Sequence, residues 1–248
     1  MGLENVQRVY EKLGQADPLW AILTDDRYRG NRWDPTAFFD TGRVEIKEVM
    51  TSLESEGIVP AVGSALDFGC GVGRLTQALC QKFESVIGVD ISSTMIEGAN
   101  RWNQFGERCR YIVNTTPTIP RVADSSIDFV YSNIALQHSP PRYQRSYIGE
   151  FVRMLRPQGV AVFQVRIGPH RDEGSLQERW YRFTSETLRP GWKRMRGRPP
   201  VQVHTISERN VEQVIATAGA EILAVSNADE VPRASRRSLR YVIRKPSA

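Results

Sequence analysis

From residue 65 onward, short apolar runs alternate with segments of helical periodicity, and no other feature of the chain restricts its fold so strongly. "ALDFG" (65–69), "SVIGVD" (85–90), "CRYIVN" (109–114), "IDFVYS" (127–132) and "VAVFQVRIG" (160–168) each have the length and apolar content of a buried strand. Between them, Leu75, Ala78, Leu79 and Phe83 recur at helical spacing, and Ser92 is placed to cap a helix carrying Met95, Ile96 and Ala99. Pro140 and Pro141 open another helix, with Ile148, Phe151, Val152 and Leu155 as its buried stripe and Pro157 to Gly159 as its end. Residues 207–219 place Val211, Val214, Ile215 and Ala218 on one helical face, and "AEILAVS" and "RYVIRK" supply two last strands. Strands separated by helices run parallel, because each crossover returns the chain to the same edge. The expected architecture is α/β: a doubly wound, seven-stranded, mostly parallel sheet.

Two segments stand outside this rhythm. Residues 1–62 read as a helical cap that includes the aromatic stretch "RWDPTAFFDTGR", and residues 169–204 read as a polar, basic insertion after the fifth strand. The expected organisation is one domain over 1–248, with a core at 63–168 and a closing helix and strands at 205–248. A chain of 28.1 kDa can bury enough apolar surface to need neither disulfide nor metal. Cys70, Cys80 and Cys109 lack metal-ligand spacing, and an odd number of cysteines points to a reducing compartment. No run approaches the ~20 apolar residues of a membrane span, and the first residues are not those of a signal peptide. A cytoplasmic protein without a membrane partner, monomer or homodimer, is expected. His170 with Asp172 and Glu173 fits no ligand pattern, so no metal is assigned.

Directly behind the first strand, "LDFGCGVGRL" (66–75) sets Gly69, Gly71 and Gly73 at alternate positions. In a doubly wound sheet, ligands settle at the carboxyl ends of strands, where this turn lies. A phosphate-binding loop needs Gly-Lys-Ser/Thr, whereas this turn continues Gly73-Arg74-Leu75. A dinucleotide fingerprint is G-x-G-x-x-G; here the spacing is G-x-G-x-G, with Asp67 before it in the strand. Asp90 ends the second strand, and an acid at this distance is also compatible with a nicotinamide cofactor, so it does not discriminate by itself.

The pattern D-x-G-C-G-x-G resembles motif I of the class I S-adenosylmethionine-dependent methyltransferases. The resemblance extends to about residue 165, through Asp90, "DSSIDFVYSNIALQHSP" and "LRPQG" (155–159), which is similar to the family's turn before strand five. It implies S-adenosyl-L-methionine as cofactor, with Gly69, Cys70 and Gly71 against its methionine and ribose and Asp67 setting the turn. It further implies Asp90 on the ribose hydroxyls, Ile91 and Met95 over the adenine, and Asn133 and Ile134 within the stretch 132–135 beside the methionine. Where the family often carries an aspartate for the adenine amino group, this chain has Asn114 and Thr115. His138, just beyond strand four, occupies a place where related enzymes use histidine either as a general base or as a structural group.

The implied function is methyl transfer, with O-methylation of a small hydroxylated metabolite or saccharide as the leading form. The alternatives are a nucleic-acid methyltransferase, a catalytically silent cofactor-binding protein and a nicotinamide-dependent oxidoreductase. Arg189, Lys193, Arg194, Arg196 and Arg198 form a basic run without an acid, in a chain of net charge +5. The run fits a lid attracting an anionic small molecule, a phosphate-contacting surface, or an ordinary solvated loop. Trp33, Phe38, Phe39, Trp180, Tyr181 and Trp192 either wall a pocket or pack the cap onto the sheet.

Overall fold

The apolar runs become strands β1 (Ser64–Phe68), β2 (Ser85–Asp90), β3 (Cys109–Val113), β4 (Ile127–Ser132), β5 (Leu155–Ile167), β6 (Glu221–Asn227) and β7 (Arg237–Arg244). They form one sheet in the order β3-β2-β1-β4-β5-β7-β6 in a computed structural model that describes residues 2–168, 201–228 and 237–247. The β1–β2, β1–β4, β2–β3 and β4–β5 pairs are parallel, and β7 runs antiparallel to both β5 and β6. The strand order reverses between β1 and β4, which opens a crevice at their carboxyl ends.

Seven helices flank the sheet among the described residues: α1 (Leu3–Ala16), α2 (Pro18–Ile22), α3 (Pro35–Ser55), α4 (Arg74–Leu79), α5 (Ser93–Trp102), α6 (Pro141–Met154) and α7 (Glu208–Thr217). Alternate strand residues feed two cores. On one face Leu66, Val130, Phe163 and Val165 meet Ile148 and Phe151 of α6 and Val211 and Ile215 of α7. On the other, Ala65, Phe129, Tyr131 and Val162 meet Ile46, Val49 and Leu53 of α3 and Leu75 and Leu79 of α4. Ser92 caps α5 by accepting the Met95 amide, as its position predicts.

The N-terminal cap owes its position to local chemistry. Asp34 accepts the Ala37 amide at 2.8 Å and Pro35 fills the first turn, which starts α3 at that point. Phe38 and Phe39 then pack among Leu13, Leu19, Val72 and Met95, while Trp33 stacks on Tyr28 with 3.7 Å between ring centroids. Full burial of Phe38 stabilises this seam by roughly 2–3 kcal/mol. These three aromatics therefore seat the cap on the sheet. Trp180, Tyr181, Trp192, His170 and the basic run at 189–198 lie outside the described residues.

Glu11 fastens α1 to the start of α5. Its carboxylate accepts the Ser93 amide at 2.7 Å and the Thr94 amide at 3.0 Å, together with the hydroxyls of Ser92, Ser93 and Thr94. One boundary differs from expectation. β5 begins at Leu155, so "RPQG" is an irregularity within the strand: pairing with β4 passes from Ile127↔Leu155 to Phe129↔Val160. Gln158 adopts φ 66° there, and its amide donates to the Lys245 carbonyl at 2.7 Å, which satisfies the interrupted ladder.

Candidate functional site

The turn after β1 holds three glycines in the left-handed region, with φ 78° at Gly69, 53° at Gly71 and 84° at Gly73. The amides of Gly69 and Cys70 both donate to the Val89 carbonyl, at 2.8 and 3.1 Å, and pin the turn to β2. Space is as restrictive as conformation. A Cβ on Gly69 would stand 2.2 Å from the Ala135 methyl, and one on Gly71 would stand 2.5 Å from Cδ1 of Ile22.

Asp90 bridges strand end and turn: Oδ2 accepts the Gly71 amide at 2.8 Å and Oδ1 the Ser92 amide at 2.9 Å. Each carboxylate oxygen keeps a lone pair for a ligand donor, which suits the adjacent hydroxyls of a ribose. Burial raises the Asp90 pKa, and the backbone amides of Ser92, Gly71 and Ile91 oppose the rise. Asp67 faces inward and accepts the Thr76 hydroxyl at 2.7 Å. Burial pushes its carboxyl up to about 7, against the opposing pull of Thr76 and Arg74. Its hydrogen bond ties β1 to α4. The Cys70 thiol is also buried, and desolvation raises its pKa well above the ordinary value, so it is no thiolate nucleophile.

The residues expected beside the adenine are less uniform. Ile91 is half-buried at the strand end, while the Met95 side chain is enclosed by the cap seam. Both ends of the Asn114 amide are engaged in its own loop, donating to the Thr116 carbonyl at 2.9 Å and accepting the Thr116 hydroxyl at 3.2 Å. Thr115 is exposed.

At the carboxyl end of β4 the chain is strained. Ile134, β-branched and 45% exposed, takes φ 61°, which costs on the order of 1–3 kcal/mol. Beside it, Asn133 Nδ2 donates to Glu45 Oε1 at 2.6 Å, an oxygen that also accepts the Tyr131 hydroxyl at 2.9 Å. Glu45 Oε2 pairs with Arg74 at 2.7 Å. One carboxylate from α3 thus ties the first residue of α4 to the end of β4.

His138 ends the short turn Leu136–His138. Its Nδ1 lies 3.1 Å from the Gln202 carbonyl oxygen. A carbonyl only accepts, so the proton sits on Nδ1 and Nε2 of the neutral ring keeps its lone pair. Burial lowers the His138 pKa; the Gln202 contact raises it, and the charge of Arg166 lowers it further. The ring packs edge-on against Tyr10 of α1, with centroids 5.6 Å apart. The Tyr10 pKa is raised, first by burial and then by the charge of Asp90. Among the described residues, no three His, Cys, Asp or Glu side chains gather as metal ligands, and no helix is long and apolar enough to cross a membrane.

Residues 66–163 match the family described as "Methyltransferase domain". That stretch, from β1 to β5, is a methyltransferase domain, and it carries the D-x-G-C-G-x-G turn that resembles the class I S-adenosylmethionine-dependent enzymes. A malonyl-[acyl-carrier protein] O-methyltransferase of Pectobacterium atrosepticum is 32% identical over 134 residues, 53% of this chain and 44% of that protein. A carboxy-S-adenosyl-L-methionine synthase of Chromohalobacter salexigens is 31% identical over 125 residues, 47% of this chain and 46% of its own. The chain therefore spans about half the length of these relatives. Among solved structures, magnesium protoporphyrin IX methyltransferase of Synechocystis with bound S-adenosylhomocysteine is similar at a TM-score of 0.62 and 16% identity, over 98% of this chain and 99% of that one. A likeness at that identity concerns the fold.

Around the carboxyl ends of β1, β2 and β4 the structure gathers Gly69, Gly71, Asp90, Asn133, Ile134 and His138. Tyr10, edge-on to His138, and Glu45, bonded to Asn133, adjoin them, and sequence reasoning missed both. Tyr10 lies on the stripe Leu3, Val6, Tyr10, Leu13, where an aromatic reads as core. Glu45 sits next to Ile46 of the buried α3 stripe, and an acid beside such a stripe was the available signal.

Proposed function

We propose that this chain is an S-adenosylmethionine-dependent O-methyltransferase of a small hydroxylated metabolite or saccharide, with His138 as the general base. The observation that carries the reading is the Nδ1 contact to the Gln202 carbonyl, which leaves Nε2 as the proton acceptor. Oxygen as the receiving atom is supported by relatives named malonyl-[acyl-carrier protein] O-methyltransferases.

S-adenosylmethionine, when bound, supplies an electrophilic sulfonium methyl for in-line displacement. The residues of this chain have the remaining tasks. Asp90 and the glycine turn hold the nucleoside; Asn133, fixed by Glu45, lines the opposite wall. His138 takes the hydroxyl proton at Nε2 as the oxygen attacks, since an alcohol is too weakly acidic to react unaided. A buried imidazole with a depressed pKa is already neutral at pH 7, the state a base requires.

The test is methyl-label transfer from S-adenosylmethionine into a cell extract, resolved into nucleic-acid, protein and small-molecule pools, with His138→Ala alongside. Label is expected in the small-molecule pool. The variant should turn over at least about tenfold more slowly while binding S-adenosylhomocysteine within about twofold of wild type. Wild-type turnover should fall with acid as His138 protonates below its usual value of about 6.5. An unimpaired variant eliminates the base role.

A further inference from the structure

We propose that Arg166 and Arg240 form a receptor for an oxyanion, a carboxylate or phosphate, carried by the small-molecule acceptor. The proposal rests on the small-molecule reading above and specifies its substrate class.

Strand register places the two arginines together. Val160 and Val162 of β5 face the α3–α4 core, so Gln164 and Arg166 continue that face toward the carboxyl end of the strand. On β7, Val242 faces the same core, and Arg240 stands two residues earlier on the same face. Gln164 pairs with Arg240 and Arg166 with Ser238, so the arginines are diagonal neighbours on adjacent antiparallel strands. Such positions lie about 7–8 Å apart, within reach of one ligand group for long side chains. Because Ser132 pairs with Phe163, Arg240 lies level with Asn133, and Arg166 lies one step further out on the ligand side of the sheet.

Neither charge is paired among the described residues. Both residues are only half-exposed, and neither guanidinium makes a hydrogen bond or ion pair among the described residues. The Nε of Arg166 is buried with no hydrogen-bond partner. Three other arginines, buried, half-buried and exposed, do find carboxylates: Arg74 pairs with Glu45, Arg153 with Glu150 and Arg156 with Asp128. Glu45, on the facing helix, is engaged by Arg74, Tyr131 and Asn133. Two like charges side by side without counter-ions destabilise a fold. A ligand oxyanion removes that penalty, and the planar guanidinium fork matches a carboxylate or phosphate. The location fits an acceptor: the field of Arg166 acts on His138, and that of Arg240 on Tyr131.

The decisive comparison is between wild type and Arg166→Gln/Arg240→Gln, full chain, loaded with S-adenosylhomocysteine and titrated with inorganic phosphate or succinate. Sodium chloride at matched ionic strength is the control. Wild type should bind at least one of the two anions saturably and melt at a higher temperature in its presence. The double variant should bind it at least about tenfold more weakly, yet melt no lower than wild type when no anion is present. The anion that works tells carboxylate from phosphate. Arginines with a purely structural role would instead leave the variant less stable without any anion, and that result overturns the proposal. So does a wild type that binds neither anion, or a variant that binds both normally. Failure of the underlying reading looks different, because methyl label would then enter nucleic acid or protein whatever the titration gives.

Discussion

On the cofactor side of the crevice, the groups that define the site are backbone amides and a carboxylate held by backbone amides: the Gly69–Gly73 turn, pinned to Val89, and Asp90 on Gly71 and Ser92. On the proposed acceptor side they are side chains from distant elements. Glu45 comes from α3, Asn133 and His138 from beyond β4, Arg166 from β5 and Arg240 from β7, and Gln202 approaches from outside any strand. The first side is fixed by conformation within one strand–helix–strand unit. The second exists only once the cap, the sheet and the 201–206 segment have assembled, so acceptor choice can change there without altering the turn.

Glu45 is the contact that crosses this division, and its loss should have the largest effect. Glu45→Ala leaves the Arg74 side chain, 6% exposed, without its partner, and should destabilise the fold by about 3 kcal/mol. Cofactor affinity and turnover should fall together, as thermal melts, S-adenosylhomocysteine calorimetry and kinetics would show. A variant that lost turnover alone would mean that the two sides are joined elsewhere.

Gly69→Ala tests the conformational side. Its φ and the approach of Ala135 both forbid a side chain, so cofactor affinity should drop about a hundredfold. Adding Ala135→Gly should relieve the contact without relieving the backbone, giving partial recovery by calorimetry. Full recovery would make crowding, and not φ, the constraint.

Asp67 should produce a smaller, pH-dependent signature. Its folded pKa, about 7, lies above the unfolded value of about 3.9, so the folded state binds the extra proton between these limits. That contribution is greatest below about pH 4 and is lost as pH rises toward 7. Asp67→Asn should flatten the melting temperature over this window. Glu11 has the opposite sign and the smallest effect. Burial raises its pKa, but hydrogen bonds from Ser93 and Thr94 bring it down to about 2. Its stabilisation is therefore present at neutral pH and disappears as pH falls from about 4.5 toward 2. Because it is largely solvated, Glu11→Gln should cost less than about 1 kcal/mol at pH 7, measured by denaturant melts.

The same division explains what the sequence discloses. Strand runs, the Ser92 cap and the glycine turn each declare themselves locally, through periodicity, capping chemistry and a conformation that only glycine adopts readily. The end of β4 is legible in position but not in detail, since the hydrogen bond of Asn133 to Glu45 depends on α3 packing at Gly42 against the Arg74 backbone. Asn114 occupies its expected place, yet its amide is engaged by Thr116, a local bond that competes with any ligand. Arg166 and Arg240 look like ordinary alternating strand residues until the register of β5 and β7 brings them together.

Ile22 ties the cap to the turn. Its Cδ1 lies 2.5 Å from where a Cβ on Gly71 would stand, so α2 packs directly against the turn on that side. The absence of a side chain at position 71 therefore serves the seating of the N-terminal segment as well as the backbone conformation, and one glycine answers to two neighbours at once.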